Sequence, residues 1–137
     1  GFHIYSGSQN LRAESIAESQ TKAVELAMRL ADAAPAPVRV LNIGGGFGIP
    51  YFPGDQPLDL APIGDNLRSL RARVDARFPN ARLVVELGRY IVGECGIYVC
   101  RVVDRKLSRG QVFIVTDGGL HHHLAASGNF GQVLRKN

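Results

Sequence analysis

The sequence predicts an α/β fold: a run of β/α units on a parallel sheet, followed by a β-rich segment. Three observations predict it. Apolar, strand-like runs recur and each ends at glycine. Amphipathic helical stretches lie between them. Beyond about Gly93 the helical pattern stops and two β-rich runs follow.

Phe2 to Ser6 is the first strand, with Gly7-Ser8 as its turn. A helix is predicted from Arg12 to Ala33, because Val24, Ala27, Met28 and Ala31 fall at i, i+3, i+4 and i+7. Pro35 and Pro37 stop it. Val38 to Ile43 is the second strand, ending at Gly44-Gly45-Gly46. Pro50 to Pro62 reads as a long loop, and long loops are often functional. A second helix follows, with Ile63, Leu67, Leu70, Val74 and Phe78 on one stripe. Arg82 to Leu87 is the third strand, ending at Gly88-Arg89. Three such strands would leave two open edges, and a (β/α)8 barrel needs about 250 residues. The units are therefore expected to belong to a larger α/β domain. Gly96 to Asp104 and Gln111 to Asp117 then form an antiparallel hairpin around a charged turn, Arg105 to Gly110. A domain boundary near Gly93 divides residues 1–93 from 94–137. The tail from Ser127 reads as loop.

Composition narrows the class. The chain has 137 residues, 45% hydrophobic and 20% charged, which excludes disorder. No run of about 18 uncharged apolar residues encodes a membrane span. There is no initiator Met and no leader, and the chain opens inside a strand, so a piece of something longer is expected. The net charge of +4 could suggest nucleic acid. The densest basic group, Arg68, Arg71, Arg73 and Arg77, also holds Asp75 and reads as a solvated helix face, so no nucleic-acid partner is expected. Cys95 and Cys100 make neither a disulfide framework nor a zinc site, which suits a reducing, cytoplasmic compartment.

Three places could carry chemistry. The Gly44-Gly45-Gly46-Phe47-Gly48 loop follows a strand, where α/β proteins bind ligands, and its amides could form an anion nest. It fits neither the P-loop nor the dinucleotide fingerprint, and it could be a tight turn under a helix. If it is a ligand loop, a Cβ at Gly45 or Gly46 should collide with the anion rather than disturb folding. Glu86 and Arg89 stand at the next strand end, as catalytic groups would, or pair with their neighbours. Tyr5 shares a strand face with His3, and Ser8 lies just past the strand, able to donate to a phosphate. Alone each is weak. In a barrel the three strand ends would surround one mouth.

These segments resemble the fold-type III, alanine-racemase-like pyridoxal-phosphate decarboxylases: ornithine, arginine and diaminopimelate decarboxylases. The family's His-x-His-x-Gly-Ser-Gln run is matched by His3-Ile4-Tyr5-Ser6-Gly7-Ser8-Gln9. Its triglycine loop is matched by Gly44 to Phe47, and its Glu-Pro-Gly-Arg run by Glu86-Leu87-Gly88-Arg89. Asp117-Gly118-Gly119 resembles an Asp-Gly-Gly of its C-terminal domain. His121 to Asn137 also resembles a subgroup linked to exosortase gene clusters.

The resemblance implies that residues 1–93 are the last β/α units of a barrel and 94–137 the start of a β-rich C-terminal domain. It implies pyridoxal 5'-phosphate as cofactor, an amino acid as substrate, and a homodimer with shared active sites. Ser8, the amides of Gly44, Gly45 and Gly46, and Arg89 would hold the phosphate, with Gly88 beside them. Whether Arg89 instead meets a substrate carboxylate stays open. Glu86, the one catalytic residue expected in this chain, would face the pyridine nitrogen and keep it protonated, making the ring an electron sink. The family's ring-stacking His falls on Tyr5, and Leu87 replaces its Pro. The family's Schiff-base lysine is expected far upstream; none of Lys22, Lys106 or Lys136 has its context. The family's dimer-partner Cys/Asp segment is also absent, and these 137 residues alone are expected to be inert. A racemase of this fold would place Arg, not Glu, at the pyridine nitrogen. A non-catalytic pyridoxal-phosphate-binding protein and a nucleotide-binding domain are further possible readings of the same residues. His121-His122-His123 lacks an acidic or Cys partner nearby, so no metal is expected.

Overall fold

A computed structural model of the chain describes residues 1–119 and 121–122. It falls into two compact units, Gly1–Gly93 and Glu94–Asn137.

The first unit follows the predicted order, β1 (Phe2–His3), α1 (Ala13–Ala31), β2 (Val40–Asn42), α2 (Ala61–Arg77) and β3 (Arg82–Val84), and adds a four-residue helix that the sequence pattern does not predict, α3 (Arg89–Val92). The strands form a parallel sheet in the order β1-β2-β3. Phe2 pairs with Leu41 and Leu41 with Leu83; His3 pairs with Asn42 and Asn42 with Val84. The regular strands are shorter than predicted, but ladder bonds continue past them. Ile4 N–H donates to Asn42, Ile43 N–H to Val84 and Glu86 N–H to Gly44, at 2.9, 3.0 and 2.8 Å.

This register divides the sheet into two faces, because side chains alternate along each strand. Phe2, Ile4, Leu41, Ile43, Leu83 and Val85 pack against Ala23, Val24 and Ala27 of α1 and Leu70 and Val74 of α2. Each large side chain removed from water here contributes about 1.5–3 kcal/mol. The opposite face carries His3, Tyr5, Asn42 and Glu86. The two helices are joined by a polar clasp. Asn66 donates to the Ala17 carbonyl and to Gln20, and Thr21 donates to Asn66.

A second cluster lies under the strand ends: Ala13, Ile16, Phe47, Leu58 and Ile63, with Leu87 and Tyr90 against it. Phe47 meets Tyr90 edge-on at 6.0 Å and so anchors the triglycine loop. Leu58 does the same for the long loop. That loop ends earlier than predicted. α2 starts at Ala61 with Pro62 in its first turn, where a missing N–H costs nothing.

The second unit contains an antiparallel hairpin, β4 (Val102–Ser108) and β5 (Gln111–Thr116). The predicted turn is corrected by this pairing. Arg105 to Ser108 is strand, and the turn is Arg109-Gly110 alone, with φ of 50° and 77°. A two-residue turn with both φ positive matches the right-handed strand twist. Of the predicted strand from Gly96 to Asp104, only Val102 to Asp104 is strand; Gly96 to Arg101 is not. Cys95 and Cys100 are free and exposed. The His121 and His122 rings are 3.9 Å apart; His123 and the tail from Ser127 lie outside the described residues. Among the described residues no helix is long and apolar enough to cross a membrane. Nor, among them, does any group of three or more His, Cys, Asp or Glu side chains sit together as metal ligands.

Candidate functional site

The three strands end side by side, so the segments after them are neighbours despite lying some forty residues apart in sequence. Asn10 N–H donates to Gly46 and Gly48 N–H to Asn10, both at 2.9 Å, which binds the first loop to the second. Glu86 N–H on Gly44 binds the second to the third.

Between the first two loops lies a cavity of about 200 Å³. Ser6, Gly7, Ser8 and Asn10 line one side, Gly45 and Gly46 another, and Ser19 of α1 also contributes. No charged side chain is among its lining residues. Among the described residues the amides of Gly45 and Gly46 donate to no protein acceptor. Neutral hydroxyls and uncommitted amides around a concave space suit an oxyanion, which needs donors and no competing carboxylate.

The glycines themselves have a structural role that the sequence does not reveal. Gly44 and Gly46 have φ of 73° and 91°, where a side chain is strained. A Cβ on Gly45 would lie 1.8 Å from the Glu86 carbonyl oxygen, and one on Gly46 would lie 2.8 Å from that of Gly7. The Cβ directions point at neighbouring backbone. The expectation that alanine here would spare folding is therefore corrected: the triglycine is where three loops pack at backbone distance. By contrast, a Cβ on Gly88 would meet nothing within 4 Å.

Glu86 stands on the sheet face away from the helices. Its Oε1 accepts a hydrogen bond from Asn42 Nδ2 at 2.8 Å and lies 3.6 Å from His3 Nε2. Asn42 Oδ1 in turn accepts from the Gly44 amide at 2.9 Å, so one side chain ties the triglycine to the Glu86 carboxylate. Sequence reasoning misses Asn42, although strand alternation already puts it on the face of His3. Tyr5, on that same face, is 59% exposed and presents its ring to open space.

Arg89, at the start of α3, donates from Nη1 to Gln9 Oε1 at 3.0 Å, and its guanidinium lies 5.6 Å from the centre of the Tyr51 ring. The structure thus brings Ser8, Gly45 and Gly46 around one cavity, Glu86 onto the neighbouring sheet face, and Arg89 onto Gln9. The basic group on α2 is a paired surface: Arg68 with Asp65, Arg71 with Asp75, Arg73 with Glu25, and Arg77 with Asp32. Lys22 pairs with Glu18 on α1, and its ammonium holds the Glu18 carboxyl below the usual range.

Residues 1–93 match the family described as pyridoxal-dependent decarboxylase, pyridoxal binding domain. The chain belongs to this family. The resemblance carried by the three strand-end motifs is borne out, and pyridoxal phosphate is the cofactor that membership implies. Among curated proteins, the chain is 40% identical, over its whole length, to the L-glutamyl-(BtrI acyl-carrier protein) decarboxylase of Niallia circulans, of which it covers 32%. It is 36% identical to the diaminopimelate decarboxylase of Thermoplasma acidophilum, over 76% of this chain and 25% of that protein. The chain thus spans a quarter to a third of these relatives. A solved structure from Aquifex aeolicus matches 88% of the chain and 28% of its own, at a TM-score of 0.62 and 32% identity. The diaminopimelate decarboxylase from M. jannaschii shares the fold at a TM-score of 0.64 and 22% identity, over 90% of this chain and 29% of its own. The three parallel strands and their helices are accordingly β/α units of a TIM-like barrel, with a β-rich segment after them.

Proposed function

We propose that the protein containing this chain is a pyridoxal-phosphate-dependent carboxy-lyase acting on an α-amino acid, and that this chain supplies the phosphate- and pyridine-binding half of its site. One observation carries the reading. Successive parallel strand ends bring together a charge-free donor cavity and, on the adjoining sheet face, a carboxylate held by a hydrogen bond from Asn42 with His3 beside it. That combination fits a cofactor with a phosphate at one end and a basic ring nitrogen at the other.

In this reading Ser8 and the Gly45 and Gly46 amides bind the phosphate. Glu86 holds a proton on the pyridine nitrogen. Asn42 and His3 keep the carboxylate turned toward that position. Tyr5 covers a ring face, and the open space beside Gly88 admits the cofactor. Arg89 binds an oxyanion, either the phosphate or the substrate carboxylate. The bound cofactor supplies an electron sink for the charge left when the carboxylate departs. An acidic partner at the nitrogen is what makes that sink strong, and this favours decarboxylation over racemisation. The protein is expected to work as a cytoplasmic homodimer. Residues 1–93 form the end of its barrel and 94–137 the start of its β-rich domain.

The test is carbon dioxide release by the full-length, cofactor-loaded protein. Diaminopimelate, ornithine, arginine and a glutamyl group on an acyl carrier are the substrates to offer. Release from one of them is the expected result. Exchange of the α-hydrogen and loss of optical activity without carbon dioxide would replace this reading with a racemase.

A further inference from the structure

Gln9 has a backbone conformation unusual for a residue other than glycine. Apart from glycines and Arg109 of the hairpin turn, it alone among the described residues has positive φ, at 51°. A glutamine gains nothing locally from that conformation, so something nonlocal holds it. The hydrogen bonds show what. Gln9 Nε2 donates to the Ile49 carbonyl, and Gln9 Oε1 accepts from the Ile49 amide at 3.3 Å and from Arg89 Nη1 at 3.0 Å. A guanidinium can only donate, so the oxygen must face Arg89 and the amide orientation is fixed. One side chain therefore joins the first loop, the second loop and the helix that starts after the third strand. It does so beside the donor cavity, of which Gln9 is itself part of the lining.

Tyr51 adds a second contact. Its ring lies 5.6 Å from the Arg89 guanidinium, within cation–π range. The guanidinium is thus held at one nitrogen by Gln9 and has the Tyr51 ring nearby. This matters because a guanidinium recognises an oxyanion through a planar fork, whose direction sets what it can bind.

We propose that Gln9 is the positioning residue for Arg89, its side-chain amide setting the direction in which the guanidinium meets an oxyanion at the strand ends. This rests on the cofactor-site reading above. The oxyanion is a phosphate or a carboxylate, and the two sources separate experimentally.

The full-length protein is compared with Gln9→Met, Gln9→Gly, Arg89→Met and the Gln9→Met/Arg89→Met double variant. Gln9→Gly is the folding control, because glycine accepts positive φ and leaves the backbone unstrained. Each apoprotein is titrated with pyridoxal phosphate and with pyridoxal, and each holoenzyme is assayed for KM. If Arg89 meets the phosphate, both Gln9 variants weaken pyridoxal phosphate about tenfold and leave pyridoxal unchanged. If it meets the carboxylate, KM rises by about the same factor with cofactor affinity unchanged. In either case the double variant loses no more than Arg89→Met alone, since Gln9 acts through Arg89. Gln9 variants that bind like the wild type while Arg89→Met does not would overturn the positioning role and leave the cofactor-site reading standing. Additive losses in the double variant would overturn it equally. An Arg89→Met protein unchanged in every titration would remove the oxyanion role of Arg89, and this proposal with it.

Discussion

Replacing Gly45 with alanine should damage the fold before it damages chemistry. The added Cβ would stand 1.8 Å from the Glu86 carbonyl oxygen and 2.9 Å from its carbonyl carbon. A carbon and an oxygen in close contact keep roughly 3.3 Å, so the ends of β2 and β3 must separate by about 1.5 Å. Overpacking of this kind costs about 1–3 kcal/mol. The 2.8 Å bond from Glu86 N–H to the Gly44 carbonyl lies at the collision and would be lost, at about 1 kcal/mol more. The apoprotein should therefore lose about 2–4 kcal/mol in urea unfolding, read as a fall in the midpoint at unchanged slope. Cofactor affinity should fall too, because Glu86 moves with its backbone. Gly88→Ala is the contrasting case. Its Cβ meets nothing, so apo stability should stay within about 0.5 kcal/mol while pyridoxal-phosphate affinity drops. A Gly45→Ala apoprotein as stable as the wild type would refute the backbone-contact reasoning.

Four further outcomes follow from the same geometry. Glu86→Gln should lower kcat about 10- to 100-fold with little change in KM, measured by carbon dioxide release, because the lost charge matters most as the carbanion develops. Tyr5→Phe should keep cofactor affinity, whereas Tyr5→Ala should raise the dissociation constant about two- to tenfold as the stacking face is lost. Asn66→Ala should cost about 1–3 kcal/mol in apo unfolding by leaving the buried Gln20 side chain without its hydrogen-bond donor, while Thr21 keeps its bond to the Ala17 carbonyl, and should leave cofactor binding alone. Residues 1–137 expressed by themselves should release no carbon dioxide and take up no borohydride-trapped cofactor at Lys22, Lys106 or Lys136.

The parallel strands and their shared end are legible in the sequence, because alternating strand and helix patterns with glycine at each strand end have few other solutions. So are the residues that stand there, since Ser8, Gly44 to Gly46 and Glu86 directly follow or end strands. Contacts between distant backbones are hidden. Nothing in Gly-Gly-Gly distinguishes a loop that hugs a ligand from one that hugs the Glu86 carbonyl. Gln9 gives no sign either. Its partners lie 40 and 80 residues away, and only its positive φ marks it. The sequence pattern misplaces the hairpin turn because Arg105 and Lys106 are charged and read as turn. On an exposed strand such residues are ordinary, and the Arg109-Gly110 pair is the better marker.

The assignment of Glu86 to the pyridine nitrogen is open to direct observation. Pyridoxal phosphate labelled with nitrogen-15 in the ring can be bound to the full-length protein and to Glu86→Gln, and the ring nitrogen followed by NMR near neutral pH. The wild type should show a protonated ring nitrogen, and Glu86→Gln an unprotonated one. A ring nitrogen unprotonated in the wild type, or equally protonated in both, would contradict the site proposed for this chain.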